Sequence, residues 1–211
     1  MKKTLIALTC TLALAAAATS ASAALKLVKL GSYASGVFDE SAAEIVDFDP
    51  ATKQAFVVNG DSNGIDVLDL SDPSAPKLAK AIDLSEYGKG VQSVAVSNGL
   101  VAAAVSAEDK QAPGQIVVMD AAGVVQAAFA AGALPDMVTF TPDGKYILSA
   151  NEGEPNDAYD NDPEGSVTVV DISCGLDKAV VKQVTFAAMN DQLDTLREKG
   201  VRISHPDASV A

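Results

Sequence analysis

The sequence of 211 residues has no tryptophan, a single histidine and two cysteines, and aromatic residues make up only 5% of it. One histidine, His205, is all that a Ser-His-Asp triad could draw on. Gly-x-Ser-x-Gly, His-Glu-x-x-His, P-loop and Cys-x-x-Cys motifs are all missing, so no strong catalytic signature is present. Basic residues are also scarce, with 15 Lys and Arg against 28 Asp and Glu, for a net charge of −13. That balance excludes a protein built to neutralise nucleic-acid phosphates and one that docks on anionic lipid. Hydrophobic residues make up 48% and charged residues 20%, which excludes wholesale disorder, and the length suffices to bury a real core.

Long apolar runs are missing too, except at the start. Met1-Lys2-Lys3, the apolar stretch Leu5–Ala18 and the small-residue end Ala21-Ser22-Ala23 form the three parts of a secretory signal peptide over residues 1–23. The run is short for a membrane span and is followed by a cleavage site. Cys10 lacks the small preceding residue of a lipoprotein signal, since Thr9 stands there. Cleavage after Ala23 removes Lys2 and Lys3, deepening the charge from −13 to −15, and leaves Cys174 as the only cysteine. An internal disulfide is then impossible, and Cys174 has no neighbouring His or cation in sequence to activate it. The expected location is the periplasm, the cell surface or the medium.

What is present is repetition. Three segments open with an apolar run (Ala43–Pro50, Val91–Val96, Pro135–Pro142), continue with a second (Ala55–Asn59, Leu100–Val105, Tyr146–Asn151), and end with a third closing on aspartate (Gly64–Leu70, Gly114–Asp120, Gly165–Asp171). Asp69, Asp120 and Asp171 are spaced 51 residues apart twice over. The runs are short and β-branched, and turn residues such as Thr141-Pro142-Asp143-Gly144 separate them. A weaker fourth run follows each: Lys77–Leu84, Val124–Ala130 and Ala179–Phe186. A four-stranded unit repeating at this period predicts an all-β fold, a β-propeller of four-stranded blades. An all-β sandwich is the alternative, but gives no reason for equally spaced aspartates.

Lys26-Leu27-Val28-Lys29-Leu30 copies Lys77-Leu78-Ala79-Lys80-Ala81, again 51 residues on, so residues 25–34 read as an orphan outer strand without inner partners. About three blades and an orphan strand make an incomplete ring, and the sequence reads as the N-terminal portion of a longer protein. The expected layout is a signal peptide at 1–23, a partial propeller at 24–186, and a short helix with an inter-blade tail at 187–211. In that last segment Met189, Leu193 and Leu196 have helical spacing and Gly200 is a stop. His205 reads as a loop histidine.

Two sets of residues are candidate sites. Between the second and third runs of the third unit lies Asn151–Gly165, with six carboxylates in fifteen residues. The donors Asn151, Glu152, Glu154, Asn156, Asp157, Asp160, Asp162 and Glu164 suit a hard cation, and point to Ca²⁺, which takes about 6 to 8 oxygen ligands. The spacing is not that of an EF-hand, and a solvated acidic loop is the plain alternative. The second set is Glu44, Gln92 and Asp136, which hold the same position of the first run in each unit. In a propeller they fall on the rim of the central channel, where they either hold a ligand or hydrate the channel.

Leu134-Pro135-Asp136-Met137-Val138-Thr139-Phe140-Thr141-Pro142-Asp143-Gly144-Lys145 resembles the blade opening of YVTN-type bacterial surface propellers. The fuller pattern resembles the choice-of-anchor I family: Ala43-Glu44-Ile45, Asn151-Glu152-Gly153-Glu154-Pro155-Asn156, Asp162-Pro163-Glu164-Gly165-Ser166-Val167, and Gly200-Val201-Arg202-Ile203 leading into Ala208-Ser209-Val210-Ala211. That family is similar to mesenchyme-specific cell-surface glycoproteins, and its bacterial members often carry the label alkaline phosphatase. The resemblance covers about residues 25–211 and implies a secreted or surface-displayed propeller. Ser204-His205-Pro206-Asp207 departs from the family pattern. Two functions from different classes follow as expectations. One is a non-enzymatic binding or adhesion scaffold, Ca²⁺-associated, for an unknown extracellular ligand or surface partner. The other is a metal-dependent phosphoester hydrolase of alkaline phosphatase or phytase type, weakened by the surface charge and by the missing catalytic set.

Overall fold

The computed structural model describes residues 26–202. The signal-peptide reading of residues 1–23 and the loop reading of His205 lie outside them. The described chain folds as twelve strands in three four-stranded antiparallel sheets, each a meander in chain order. Blade one comprises β1 (Val46–Asp49), β2 (Gln54–Asn59), β3 (Gly64–Asp69) and β4 (Lys77–Asp83). Blade two comprises β5 (Val91–Ser97), β6 (Leu100–Val105), β7 (Pro113–Asp120) and β8 (Val125–Ala133). Blade three comprises β9 (Pro135–Phe140), β10 (Tyr146–Asn151), β11 (Ser166–Asp171) and β12 (Val180–Thr185). The three sheets are the three predicted blades, and the fourth runs are the outer strands.

The repeated aspartates close each third strand by a local mechanism. Asp69 Oδ1 accepts the Ser71 N–H at 2.8 Å, Asp120 Oδ1 the Val124 N–H at 2.9 Å, and Asp171 Oδ1 the Ser173 N–H at 2.9 Å. A short side-chain acceptor that captures a nearby amide starts the turn into the outer strand and keeps that amide from competing for the ladder. Hydrogen bonds from Ser71 and Ser173 hold the carboxyls of Asp69 and Asp171 below the usual aspartate range.

Alternation gives every blade two usable faces. One core cluster fills the space between blades one and two, with Phe56, Val58, Ile65 and Val67 against Val94, Val101, Ala103 and Val117. A second lies between blades two and three, with Ala102, Ala104, Ile116 and Val118 against Val138, Ile147 and Val170. Blade two is therefore buried on both sides, and its runs Val101–Val105 and Ile116–Met119 are continuously apolar and buried rather than alternating. The alanines of β6 let the second interface close tightly.

Residues 26–45 form no strand. The outer strand expected over residues 25–34 is therefore not formed among the described residues: the copied segment Lys26–Leu30 pairs with no sheet, and Leu27 and Val28 are exposed. It leads into Gly31, where a Cβ would come within 2.5 Å of the Pro73 carbonyl oxygen. After β12 the chain makes a 3-10 segment, Ala187–Gln192, and one helical turn and a half, α1 (Leu193–Glu198), which Gly200 ends at φ +86°. Among the described residues no helix is long and apolar enough to cross a membrane.

Candidate functional site

In a meander, the start of the first strand and the loop between the second and third strands lie at the same end of the blade. Glu44, Gln92 and Asp136, the loop 60–63, the loop 106–112 and the loop 152–165 therefore share one end of the three-blade array. The connections at the other end run to at most eight residues, at 172–179, against fourteen at 152–165. The longest irregular segment of the blades thus stands on a rigid frame at the rim end, where binding loops are commonly carried.

The long loop is tied at its neck. Gly153 has φ +65°, and a Cβ there would lie 2.4 Å from the Pro163 carbonyl oxygen. The two arms of the loop cross here, and only glycine permits the crossing. Glu152 N–H donates to Leu134 O at 2.9 Å, and Gly153 N–H to Ala133 O at 3.2 Å, so the first arm is bonded to the strand end that precedes β9. Leu134 itself takes φ +50°, a left-handed conformation costly for a branched residue of this size. The tip is closed by Asn156: its Oδ1 accepts the N–H groups of Asp160 and Asn161, and its Nδ2 donates to Asp160 Oδ1 at 2.7 Å.

The eight loop candidates do different things. Asn151 is buried, and its side chain faces blade two: Nδ2 donates to Ser166 Oγ at 3.0 Å and Thr168 Oγ1 at 2.9 Å, while Oδ1 accepts from Ser149 Oγ at 3.1 Å. Thr168 Oγ1 in turn accepts the Gly132 N–H of β8, so this network belongs to the inter-blade seam. Glu164 Oε1 accepts the Phe186 N–H at 3.0 Å and fastens the second arm to the end of β12. Asn156 and Asp160 staple the tip. Glu152, Glu154, Asp157 and Asp162 are exposed. Among the described residues no group of three or more His, Cys, Asp or Glu side chains is arranged to hold a metal ion.

The rim candidates separate similarly. Glu44 is exposed, with its N–H bonded to Val58 O. Gln92 is half-buried and donates from Nε2 to Ser106 Oγ at 3.2 Å. Asp136 is brought to the long loop: the Glu152 carboxyl is pushed above the usual glutamate range by partial desolvation and then by the charges of Asp136 and Glu154, with Lys110 pulling the other way. The first and third blades thus contribute differently, and only Asp136 joins the two candidate sets.

Sequence reasoning missed the loop 106–112. It occupies the same repeat position in blade two as the acidic loop does in blade three, which is the signal that identifies it. Gln111 Nε2 donates to Glu154 O at 3.1 Å across the gap. The two loops enclose a cavity of about 430 Å³ whose wall includes Glu108, Lys110, Gln111, Glu154 and Asp157. Cys174 is exposed, and its neighbour Ser173 is a weak partner at 4.0 Å.

The model of the choice-of-anchor I domain matches residues 44–211. The chain belongs to the choice-of-anchor I family. Membership marks this choice-of-anchor I chain as a surface-anchored or exported protein of propeller type. None of the curated proteins matches it. Among solved structures, it is similar to the hydrazine synthase of Kuenenia stuttgartiensis, at 21% identity and a TM-score of 0.52, over 67% of this chain and 41% of that one. A hypothetical selenium-binding protein of Sulfolobus tokodaii is similar at 17% identity and a TM-score of 0.46, over 66% of this chain and 35% of that one. The chain spans about two fifths of the length of the hydrazine synthase chain, and the likeness is one of fold alone.

Proposed function

We propose that the protein is an exported propeller scaffold that works by binding an extracellular ligand or surface partner, seated at the blade end that carries the 152–165 loop. One observation supports this reading above the others. The array spends its longest connection at that end, ties it with Gly153 and Asn156, and bridges it to the neighbouring blade through Gln111 and Glu154 O. A long loop held in shape by its own backbone constraints is suited to recognition without a large ordering penalty on binding. Export by residues 1–23 belongs to the same reading, as does a place in the periplasm, on the surface or in the medium.

Ca²⁺ is proposed as the associated ion. Its support is the crowding of carboxylates at Asp136, Glu152 and Glu154, which a divalent cation would relieve. The loop would have to draw further oxygens inward to complete a coordination shell. The experiment is a thermal melt of the purified protein with Ca²⁺ and with chelator, followed by assay of p-nitrophenyl phosphate and phytate hydrolysis. Binding to the folded state alone stabilises by about 2.7 kcal/mol at a hundredfold excess over the dissociation constant. A melt indifferent to Ca²⁺ removes the ion from the proposal. Ca²⁺-dependent hydrolysis lost in Glu152→Gln/Glu154→Gln replaces the scaffold with a hydrolase.

A further inference from the structure

Three Asn-Gly dipeptides occur in the chain: Asn59-Gly60, Asn63-Gly64 and Asn98-Gly99. Glycine after asparagine leaves no side chain to shield the next backbone nitrogen from the asparagine carboxamide. By sequence the three pairs are chemically alike. Their surroundings in the fold are not.

Asn59 is 7% exposed, and its carboxamide is held on both sides. Nδ2 donates to Asp66 Oδ2 at 3.0 Å, and Oδ1 accepts the Ser62 N–H at 3.2 Å. The Gly60 N–H is committed to Ser41 O at 2.7 Å. Asn63 is half-buried against the segment that joins blade one to blade two. Its Oδ1 accepts the Gly90 N–H at 2.6 Å, and its Nδ2 donates to Gly88 O at 2.9 Å and Ser85 Oγ at 3.3 Å. Gly64 opens β3, paired with Asn59 on one side and Asp83 on the other. Asn98, by contrast, is exposed in the two-residue turn between β5 and β6, with φ +51° there and φ +80° at Gly99. Positive φ at both central residues makes the hairpin turn that favours Asn-Gly. Asn98 Nδ2 has one weak partner, Ser97 Oγ at 3.3 Å. Among the described residues, neither Asn98 Oδ1 nor the Gly99 N–H has any, and a Cβ at Gly99 would meet nothing within 4 Å.

We infer that Asn98 is a site of spontaneous deamidation in the folded protein, and that the fold protects Asn59 and Asn63 from the same reaction. The Gly99 nitrogen gives up its proton to solvent and attacks Asn98 Cγ. The N–Cγ bond forms, the Cγ–Nδ2 bond breaks, and Nδ2 leaves as ammonia with a proton from water. Water then opens the cyclic imide, at Cγ to give aspartate or at the main-chain carbonyl carbon to give isoaspartate. The sum is one water consumed and one ammonia released, with no change of oxidation state. Swinging the Asn98 carboxamide onto the Gly99 nitrogen breaks only the solvent-exposed bond to Ser97. The same motion at Asn59 or Asn63 breaks two or three bonds at once, in places where water does not replace them. The product adds one negative charge beside blade three, since a Cβ on Gly144 would lie 2.5 Å from Asn98 Nδ2. The turn stands at the end of the blades opposite the 152–165 loop, so the inference is independent of any ligand seated there.

The test is tandem mass spectrometry of the purified protein after incubation in warm, mildly alkaline buffer, with a circular dichroism melt to verify that it stays folded. Cleavage after lysine releases residues 54–77, which carry Asn59 and Asn63, and residues 90–110, which carry Asn98. Asn98 is expected to convert roughly tenfold or more faster than either of the others, the factor set by the hydrogen bonds that must first open at those two. A more acidic species on ion exchange should grow in step with it. The same incubation in denaturant should bring the three rates together, because the protection is lost with the fold. Conversion of Asn59 or Asn63 in the folded protein at the rate of Asn98 overturns the inference. So does an Asn98 that keeps its amide when folded and loses it in denaturant. A ranking that persists unchanged in denaturant overturns it as well, since the difference then lies in the sequence and not in the fold.

Discussion

Asn59 donates from Nδ2 to Asp66 Oδ2 at 3.0 Å, and both side chains are buried on the face of blade one turned away from blade two. The pair occupies the positions that Asn151 and Thr168 hold in blade three, where the same kind of bond is made at 2.9 Å. Blades one and three thus keep an asparagine at the end of the second strand and vary its acceptor, whereas blade two has Val105 there. Asp66→Thr imports the blade-three acceptor and is expected to leave stability within about 1 kcal/mol of the original. Asp66→Ala leaves the Asn59 amide without its acceptor and is expected to lower stability by about 1–3 kcal/mol. Denaturant melts of the two variants measure the difference.

Gly153 is the point at which the arms of the long loop cross. A Cβ at that position meets the Pro163 carbonyl oxygen, and the residue also needs a positive φ. Gly153→Ala is expected to destabilise by about 1–3 kcal/mol and to open the loop. Limited proteolysis within 152–165, faster in the variant than in the unaltered protein, reports the opening. An unchanged cleavage rate contradicts the crossing as the loop's constraint.

Glu152 has its carboxyl pushed upward by partial desolvation and by Asp136 and Glu154. A glutamate with a raised folded-state pKa binds its proton more readily folded than unfolded. Its charged form therefore weakens the fold at neutral pH, and that penalty fades as pH falls through the raised value. Glu152→Gln is expected to raise the melting temperature at neutral pH in the absence of divalent ions. The gain should vanish in acid, where the unaltered residue is already protonated. Melts of both proteins over a pH series test the sign.

The turn aspartates behave oppositely. Asp69, Asp72, Asp83 and Asp171 are held low chiefly by hydrogen bonds from Ser71, Ser74, Ser85 and Ser173, and Asp49 by Thr52. A depressed folded-state pKa contributes stability above the ordinary aspartate value and loses it as pH falls through the depressed one. Stability is expected to fall on acidification below the ordinary aspartate range. A combined Asp69→Asn/Asp171→Asn variant should show a shallower fall than the unaltered protein in acid-titrated melts.

Much of the architecture was written in local pattern. The 51-residue spacing of Asp69, Asp120 and Asp171, the β-branched runs and the turn residues specify four strands and their order in each blade, because turn capture and alternation act over a few residues. The family motif over Asn151–Asn156 was legible for the same reason, and so was the length of the loop that follows. The roles of its individual donors were not. Asn151 reads in sequence as one more oxygen donor, yet its side chain turns to Thr168 and the seam with blade two. Alternation along β10 puts Asn151 on the face of Ile147 and Ser149, but only the structure shows blade two lying against that face, through the Gly132 N–H on Thr168 Oγ1. Asp136 and Glu152 are 16 positions apart and meet only because Glu152 N–H bonds back to Leu134 O. The bridge from Gln111 to the Glu154 carbonyl likewise joins loops of different blades.

The sequence by itself determined the repeat, the strands and the turn chemistry, since each of these rests on interactions between near neighbours along the chain. Only the tertiary structure decided which apolar faces are covered. Val46, Val94 and Val138 hold one position of one pattern, and the pattern cannot distinguish them. Burial is a property of what packs against a side chain, and that is set by the place of its blade in the array.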